Sequence, residues 1–340
     1  MVSFRTFQNS DPPRILQLWN DSGLGRGAVR CRSTEPFEIS NYAQPYFDPA
    51  GLLLAFDGPR LAGFAHGGFG TRADRQGESR SIGVVCAVVV HPEFRRRGIG
   101  RELVRRTEQH LRDRGSRQIV AGPHRYNDPF YFGLYGGSRP SGFLTSDPVA
   151  QPFFQSLGYE ELERHGVFER DMTTGRDPTN VRVINIRRST YVEVSEKPQR
   201  PSWWWFTRFG RLDTLRFRLK FKKTHEQVAG ITAIGLDQYI PVWNERTIGL
   251  VDLEVPEQYR GQGYGLTLLI EMLKQLRQEL VTRAEIHCPE ANDAAMRAIT
   301  GAGFERTDTG IVYRLGSNES FETVREEAAP GYTDTALLPP

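Results

Sequence analysis

Ile82-Gly83-Val84-Val85-Cys86-Ala87-Val88-Val89-Val90, followed after His91-Pro92-Glu93-Phe94 by Arg95-Arg96-Arg97-Gly98-Ile99-Gly100, is the stretch that decides the fold. An unbroken, valine-rich apolar run of this length reads as a strand buried on both faces. From Gly98 the spacing turns helical, with Leu103, Val104, Thr107 and Leu111 on one side and arginines and acids on the other, until Gly115. The same succession returns once. Thr247 to Val255 is the apolar strand, Arg260-Gly261-Gln262-Gly263-Tyr264-Gly265 the glycine turn, and Leu268, Leu269, Met272, Leu273 and Leu276 the inward positions of a helix from Tyr264 to Leu280.

Outward from each copy the element order also repeats. In the first half, Val2 to Arg5 is strand-like, and Asp11-Pro12 starts a helix that Gly23 stops. Leu52 to Phe56 and Leu61 to His66 flank Asp57-Gly58 as a hairpin. Ile119 to Ala121 is a short strand, and Asp147-Pro148 precedes a helix ended by Gly158-Tyr159. In the second half, Val183 to Ile186 is expected to be the first strand again. Leu215, Phe217, Leu219 and Phe221 alternate with Arg216, Arg218, Lys220 and Lys222 as a strand with one wet face. Val228 to Leu236 and Ala284 to Cys288 continue the sheet, and Asn292 caps a last helix. The first half is longer by about twenty residues, inserted between Val120 and Asp147.

A length of 340 residues suits two cores better than one. The expected division is a domain at 1–172, a linker at 173–181, a second domain at 182–318 and a tail at 319–340. No apolar run approaches the roughly 20 residues that span a bilayer, and Met1-Val2-Ser3-Phe4-Arg5 leads into a strand without a signal pattern. The expectation is a cytoplasmic protein with no membrane partner. Cys31, Cys86 and Cys288 are widely separated, so neither a disulfide framework nor a metal site is implied. A net charge of +3 gives no general affinity for nucleic acid, which is not expected as a partner.

Both glycine turns fit [Gln/Arg]-x-x-Gly-x-[Gly/Ala]. The hexapeptide alone is a weak signal; its position between a buried strand and an amphipathic helix, twice, is a strong one. Glycines let successive N–H groups converge on a diphosphate, and the helix that begins there aims its positive end at the anion. Arg95, Arg96, Arg97 and Arg101 add charge in the first copy, whereas the second offers Arg260 and mostly backbone.

On these residues the chain resembles the GNAT superfamily of acyl-CoA-dependent N-acyltransferases, in a tandem two-domain form that covers nearly its whole length. The resemblance implies an α/β (α+β) fold of two GNAT-like domains, each a mixed sheet of about six or seven strands flanked by about four helices. It implies acetyl-CoA as acyl donor, bound at Arg95, Arg96, Arg97, Gly98, Ile99, Gly100 and Arg101 and at Arg260, Gly261, Gln262, Gly263, Tyr264 and Gly265. Val88, Val89 and Val90, with Leu253, Glu254 and Val255, would then run beside the pantetheine arm, and the thioester would sit where that strand splays from the next. The implied reaction moves an acetyl or other short acyl group to a primary amine of a small molecule or peptide. The two halves could pair as a pseudo-dimer within one monomer.

The chain departs from the family at the chemistry. A lysine-like amine with a pKa of about 10.4 is almost wholly protonated at neutral pH and needs a base or desolvation. Positions where relatives carry a Glu or His hold Cys86 and Val84 in one half and Val251 and Gly249 in the other. The tyrosine that would protonate the leaving thiolate is replaced by Phe154 and Ile299. The inserted segment offers His124, Tyr131 and Tyr135 instead as candidate catalytic residues, against the plainer reading of aromatic packing in an irregular loop. Cys86 reads as core rather than reactive, Trp203-Trp204-Trp205-Phe206 as a packed interdomain or lid cluster rather than a substrate platform, Asp252 and Glu254 as structural, and the Arg216–Lys222 face as solvated rather than a site for an acidic substrate or nucleic acid. The alternative reading is a sensor or scaffold that binds acyl-CoA without turnover; an aminoacyl-tRNA-dependent transferase of similar fold is disfavoured, because such proteins do not need the intact pyrophosphate loops present here twice.

Overall fold

The computed structural model describes residues 1–173, 177–196 and 201–316. The tail expected from 319 and the middle of the expected linker, 174–176, lie outside them. Through the first half run β1 (Val2–Thr6), α1 (Pro12–Asp21), α2 (Glu35–Phe37), β2 (Leu52–Asp57), β3 (Arg60–Thr71), β4 (Glu78–Val90), α3 (Ile99–Asp113), β5 (Gln118–Ala121), β6 (Phe143–Leu144), α4 (Ala150–Ser156) and β7 (Tyr159–Asp171). The second half runs α5 (Val181–Ser189), β8 (Thr190–Ser195), α6 (Trp203–Phe209), β9 (Thr214–Phe221), β10 (Gln227–Gly235), α7 (Ile240–Trp243), β11 (Thr247–Glu254), α8 (Tyr264–Gln278), β12 (Arg283–Pro289), α9 (Asp293–Gly301) and β13 (Glu305–Leu315).

The chain gathers into two compact units that cut across the sequence repeats. The first comprises Met1–Glu163, Ser202–Arg211 and the described residues from 310; the second takes in the described residues of Arg164–Pro201 and Leu212–Thr309. We keep 1–172 and 182–318 as the proposed repeats.

In the first unit the strand order is β1-β2-β3-β4-β5-β13, with β6 also against β13. β4 and β5 are parallel from Ile82↔Gln118 to Val85↔Ala121, and β13 closes the sheet antiparallel through Tyr313↔Ala121. Ile99, Leu103, Val104, Thr107 and Leu111 are the buried face of α3, as the helical spacing requires. In the second unit the order is β7-β12-β11-β10-β9-β8, again with one parallel pair, Thr247↔Arg283 to Leu250↔Ile286. Leu268, Leu269, Met272 and Leu273 of α8 are fully buried in its core, each contributing about 1.5–3 kcal/mol of apolar burial. Among the described residues no helix is long and apolar enough to cross a membrane.

One expected element is of the wrong type. Val183 to Ile186 is helical, inside α5: the Asn180 side chain accepts from Val183 N at 2.9 Å as an N-cap, and Val183 and Ile186 both turn into the core three residues apart. The first strand of the second half is β8 instead, paired with β9 from Thr190↔Phe221 to Ser195↔Arg216.

Candidate functional site

The two glycine turns are built alike. Each follows a 3₁₀ turn, Pro92–Phe94 or Glu257–Tyr259, and each opens a helix of 15 residues. Arg95 Nε donates to Val90 O at 3.0 Å and Arg260 Nε to Val255 O at 3.2 Å, folding each loop back on its strand. Arg96 (φ 64°) matches Gly261 (φ 71°), and Gly98 (φ 78°) matches Gly263 (φ 91°) as the residue before the helix. The left-handed turns leave the first N–H groups of α3 and α8 facing outward, the arrangement that receives an anion. Ile99 and Gly265 are buried behind these turns.

Their surroundings differ. A Cβ placed on Gly98 would meet nothing within 4 Å, whereas one on Gly263 would meet Arg182 Cδ of α5 at 2.8 Å. Arg182 Nη1 also lies 3.4 Å from Gly261 O. In the first loop, Arg95 Nη2 is committed to Ser22 O at 2.6 Å and the Arg97 guanidinium lies over Phe94 at 5.2 Å; Arg96 and Arg101 are exposed.

The strands splay at equivalent places. The β4–β5 register ends at Val85↔Ala121 and the β11–β12 register at Leu250↔Ile286, while Val88, Val89 and Val90 stay paired with Ala65, Phe64 and Gly63 of β3. The β5-facing edge of β4 therefore opens from Cys86 onward, beside Val88–Val90. Leu253, Glu254 and Val255 occupy the same place on β11, where Glu254 accepts from Arg216 at 3.0 Å. Cys86 sits at a bulge of β4, its thiol 3.5 Å from Val84 O, and burial holds its pKa well above the ordinary value. It is a protonated core thiol.

Of the three catalytic candidates, one is brought to this opening. Tyr131 is buried in a left-handed conformation (φ 64°), which costs a tyrosine about 1–2 kcal/mol, and Asn41 Oδ1 accepts from its backbone N at 2.8 Å. Its ring stacks on Trp19 at 5.8 Å, and its hydroxyl lies 3.1 Å from Nδ1 of His66, whose place on β3 pairs with Ala87, the residue after Cys86. Burial pushes that phenol's pKa well up. His124 and Tyr135 instead hold the loop together. His124 Nε2 is 3.3 Å from Asn127 Nδ2, and the Tyr135 hydroxyl accepts from Leu144 N at 3.1 Å.

Four residues that the sequence did not single out complete the site. His66 on β3 is fully buried, stacked on Phe130 at 4.1 Å, and burial lowers its pKa to about 3, so the imidazole is neutral. Asp128 is held by Arg208 Nη1 at 2.5 Å and Arg139 Nε at 3.3 Å. Tyr46 donates to Pro129 O at 3.0 Å, and Asn41 pins Tyr131. Histidine in a hairpin strand and aspartate before proline carry no signal of their own. The tryptophan run is α6, and it belongs to the first unit: Trp204 packs at 5.2 Å from Tyr46 and is buried. The corresponding sheet face of the second unit is ionic, with Arg216 to Glu254 at 3.0 Å and Arg218 and Lys220 to Glu193 at 3.2 and 2.8 Å. The basic strand face is thus paired, and Asp252 and Glu254 serve it through a carbonyl and a carboxylate accepting from Arg216.

Comparison with known proteins matches the acetyltransferase (GNAT) family twice, at residues 15–133 and 180–304. A mycothiol acetyltransferase of Thermobispora bispora is 28% identical over 308 residues, 86% of this chain and 93% of that one. One of Rhodococcus opacus is 34% identical over 119 residues, 34% of this chain and 37% of its own. Among solved structures, a tandem GNAT protein from the clavulanic acid biosynthesis pathway superposes with a TM-score of 0.65 at 15% identity, over 94% of this chain and all of that one. At this identity the likeness speaks for the fold alone.

Proposed function

The chain belongs to the acetyltransferase (GNAT) family and is an acetyltransferase, and from that premise we propose that it moves an acetyl group from acetyl-CoA to a primary amine of a small molecule, with the chemistry in the first unit. The observation that carries this reading is the Tyr131 hydroxyl, 3.1 Å from His66, whose place on β3 pairs with Ala87 just past the point where β4 parts from β5. Exposed Arg96 and Arg101 and the N–H groups at Gly98–Gly100 would hold the diphosphate, and Val88–Val90 would line the arm. The bound coenzyme supplies the thioester.

The residues at the opening have two tasks. Attack by nitrogen on the thioester carbon makes the C–N bond, and loss of the C–S bond releases a thiolate; one proton of the amine must end on sulfur. The Tyr131 O–H donates that proton and regains one from nitrogen. His66 Nδ1 orients the hydroxyl, and being neutral it adds no charge that would repel an ammonium entering the site. Deprotonation of the amine is left to desolvation, because burial among Tyr46, Phe130 and Trp204 disfavours the cation. The second unit has a similar loop, yet α6, which follows its first strand, belongs to the first unit, and its sheet face is filled by ion pairs. We assign it coenzyme binding.

The 28% identity over most of the Thermobispora bispora protein favours, as the acceptor to try first, mycothiol in its unacetylated form. The test is release of free thiol from acetyl-CoA with that compound and with a panel of primary amines, together with mass analysis of the amine. Amine-dependent thiol release with a matching acetylated product supports the reading; thiol release indifferent to amine, with none acetylated, refutes it.

A further inference from the structure

The two glycine turns share a backbone and differ in charge. Arg96 and Arg101 of the first stand exposed; their counterparts in the second are Gly261 and Leu266. Arg97 is matched by Gln262, whose Nε2 donates to Gln258 O at 2.7 Å. Arg260 remains, with its Nε committed to Val255 O. A further cation reaches this turn from α5, across 79 residues of chain. Arg182 Cδ lies 2.8 Å and Cγ 3.4 Å from where a Cβ on Gly263 would stand, so its stem runs over the turn. Nη1 is 3.4 Å from Gly261 O, long for a hydrogen bond. Among the described residues that carbonyl is the guanidinium's one polar partner, and the residue is exposed. The helix is fixed there: Val183 and Ile186 are buried, Arg187 pairs with Glu271 of α8, and Lys222 Nζ donates to Arg187 O at 3.3 Å and Arg188 O at 3.0 Å. Arg182 stands in the first turn of α5, which holds no acidic residue. A cation at that end opposes the helix dipole, and an anion beside it would turn the same arrangement favourable.

Resting on the assignment of coenzyme binding to the second unit, we propose that Arg182 is the diphosphate-binding cation of that site, in the part that Arg96 and Arg101 play at the first loop. Its guanidinium exchanges a long contact with a neutral carbonyl for charge-assisted hydrogen bonds to phosphate oxygens, which are about twice as strong as neutral ones. The planar fork of an arginine can hold two such oxygens at once. The first N–H groups of α8 meet the same anion from the turn beneath. The first site thus draws its positive charge from its own loop, whereas the second takes it from a helix in another part of the sequence.

Gly98→Glu sets a carboxylate against the diphosphate of the first site, so calorimetric titration of coenzyme A into the full chain carrying it reads the second. Adding Arg182→Met keeps an unbranched stem over Gly263 and removes the charge. It is expected to weaken coenzyme A about tenfold, and Arg182→Lys to come back within about threefold of the parent. Dephospho-coenzyme A, which keeps the diphosphate and lacks the 3′-phosphate, is expected to lose the same factor. With Gly98 unchanged, Arg182→Met should weaken one of two sites, which reads the same effect without relying on the Gly98 variant. Binding undiminished in Arg182→Met, an equal loss in the Met and Lys variants, or a loss confined to the ligand with the 3′-phosphate would overturn the assignment. A single site in the wild type, absent from Gly98→Glu, would sink coenzyme binding by the second unit and the role of Arg182 with it. The predicted losses without thiol release from acetyl-CoA and any amine would uphold Arg182 and sink the transfer reading alone.

Discussion

Lowering the pH from about 7.5 to about 5 is expected to destabilise the protein through the His66 imidazole. In the unfolded chain a histidine takes up a proton near pH 6.5, whereas burial holds His66 neutral down to about 3. Its folded pKa is depressed, so its contribution is intact above the unfolded value and is lost as pH falls from about 6.5 towards 3, because only the unfolded state binds the proton. At pH 5 the loss from this one group is about 2 kcal/mol, and below pH 3 it reaches about 5 kcal/mol. Other groups titrate in the same window, so the measurement is a difference between proteins. His66→Phe keeps a ring against Phe130 and abolishes the titration, at a pH-independent cost of about 1 kcal/mol for the lost Tyr131 hydrogen bond. Thermal unfolding of both proteins at the two pH values should show the wild type losing about 4–8 °C more than His66→Phe on acidification. An equal loss in the two proteins would refute a buried neutral imidazole.

Tyr131→Phe should leave the fold and the amine KM nearly unchanged and lower kcat by about a hundredfold, as removal of a proton donor does; steady-state thiol release checks it. In the second unit Leu273→Ala, at a fully buried position of α8, should cost about 2–5 kcal/mol in denaturant unfolding. Glu254→Gln leaves Arg216 without its carboxylate and should lower stability by about 1–3 kcal/mol with turnover unaffected, which paired unfolding and rate measurements would show.

What was legible in the sequence was what local pattern writes. Gly98 and Gly263 stand where a left-handed residue must precede a helix, and the apolar run before each is long enough to be a buried strand, so both loops could be placed from spacing alone. Val183 to Ile186 is helical where its apolar pattern predicts a strand, because a short apolar segment suits either and the Asn180 cap decides it. The placing of α6 and the end of β13 in the first unit depends on pairing distant in sequence, such as Tyr313↔Ala121, which leaves no periodic mark. His66 on β3 and Asn41 each meet Tyr131 of the inserted segment only in space, across 65 and 90 residues of chain. Tyr131 stood out as a titratable ring in an insertion, but what separates it from His124 and Tyr135 is its partner on β3.

The most direct test of acetyl transfer at the first loop is steady-state turnover of Gly98→Glu beside Gly263→Glu. At Gly98 the side chain enters open space, so the change adds a carboxylate against the diphosphate and about 1–2 kcal/mol of backbone strain. The account predicts that Gly98→Glu abolishes acetyl-CoA turnover and that Gly263→Glu, where folded, keeps it. Full turnover in Gly98→Glu would contradict it.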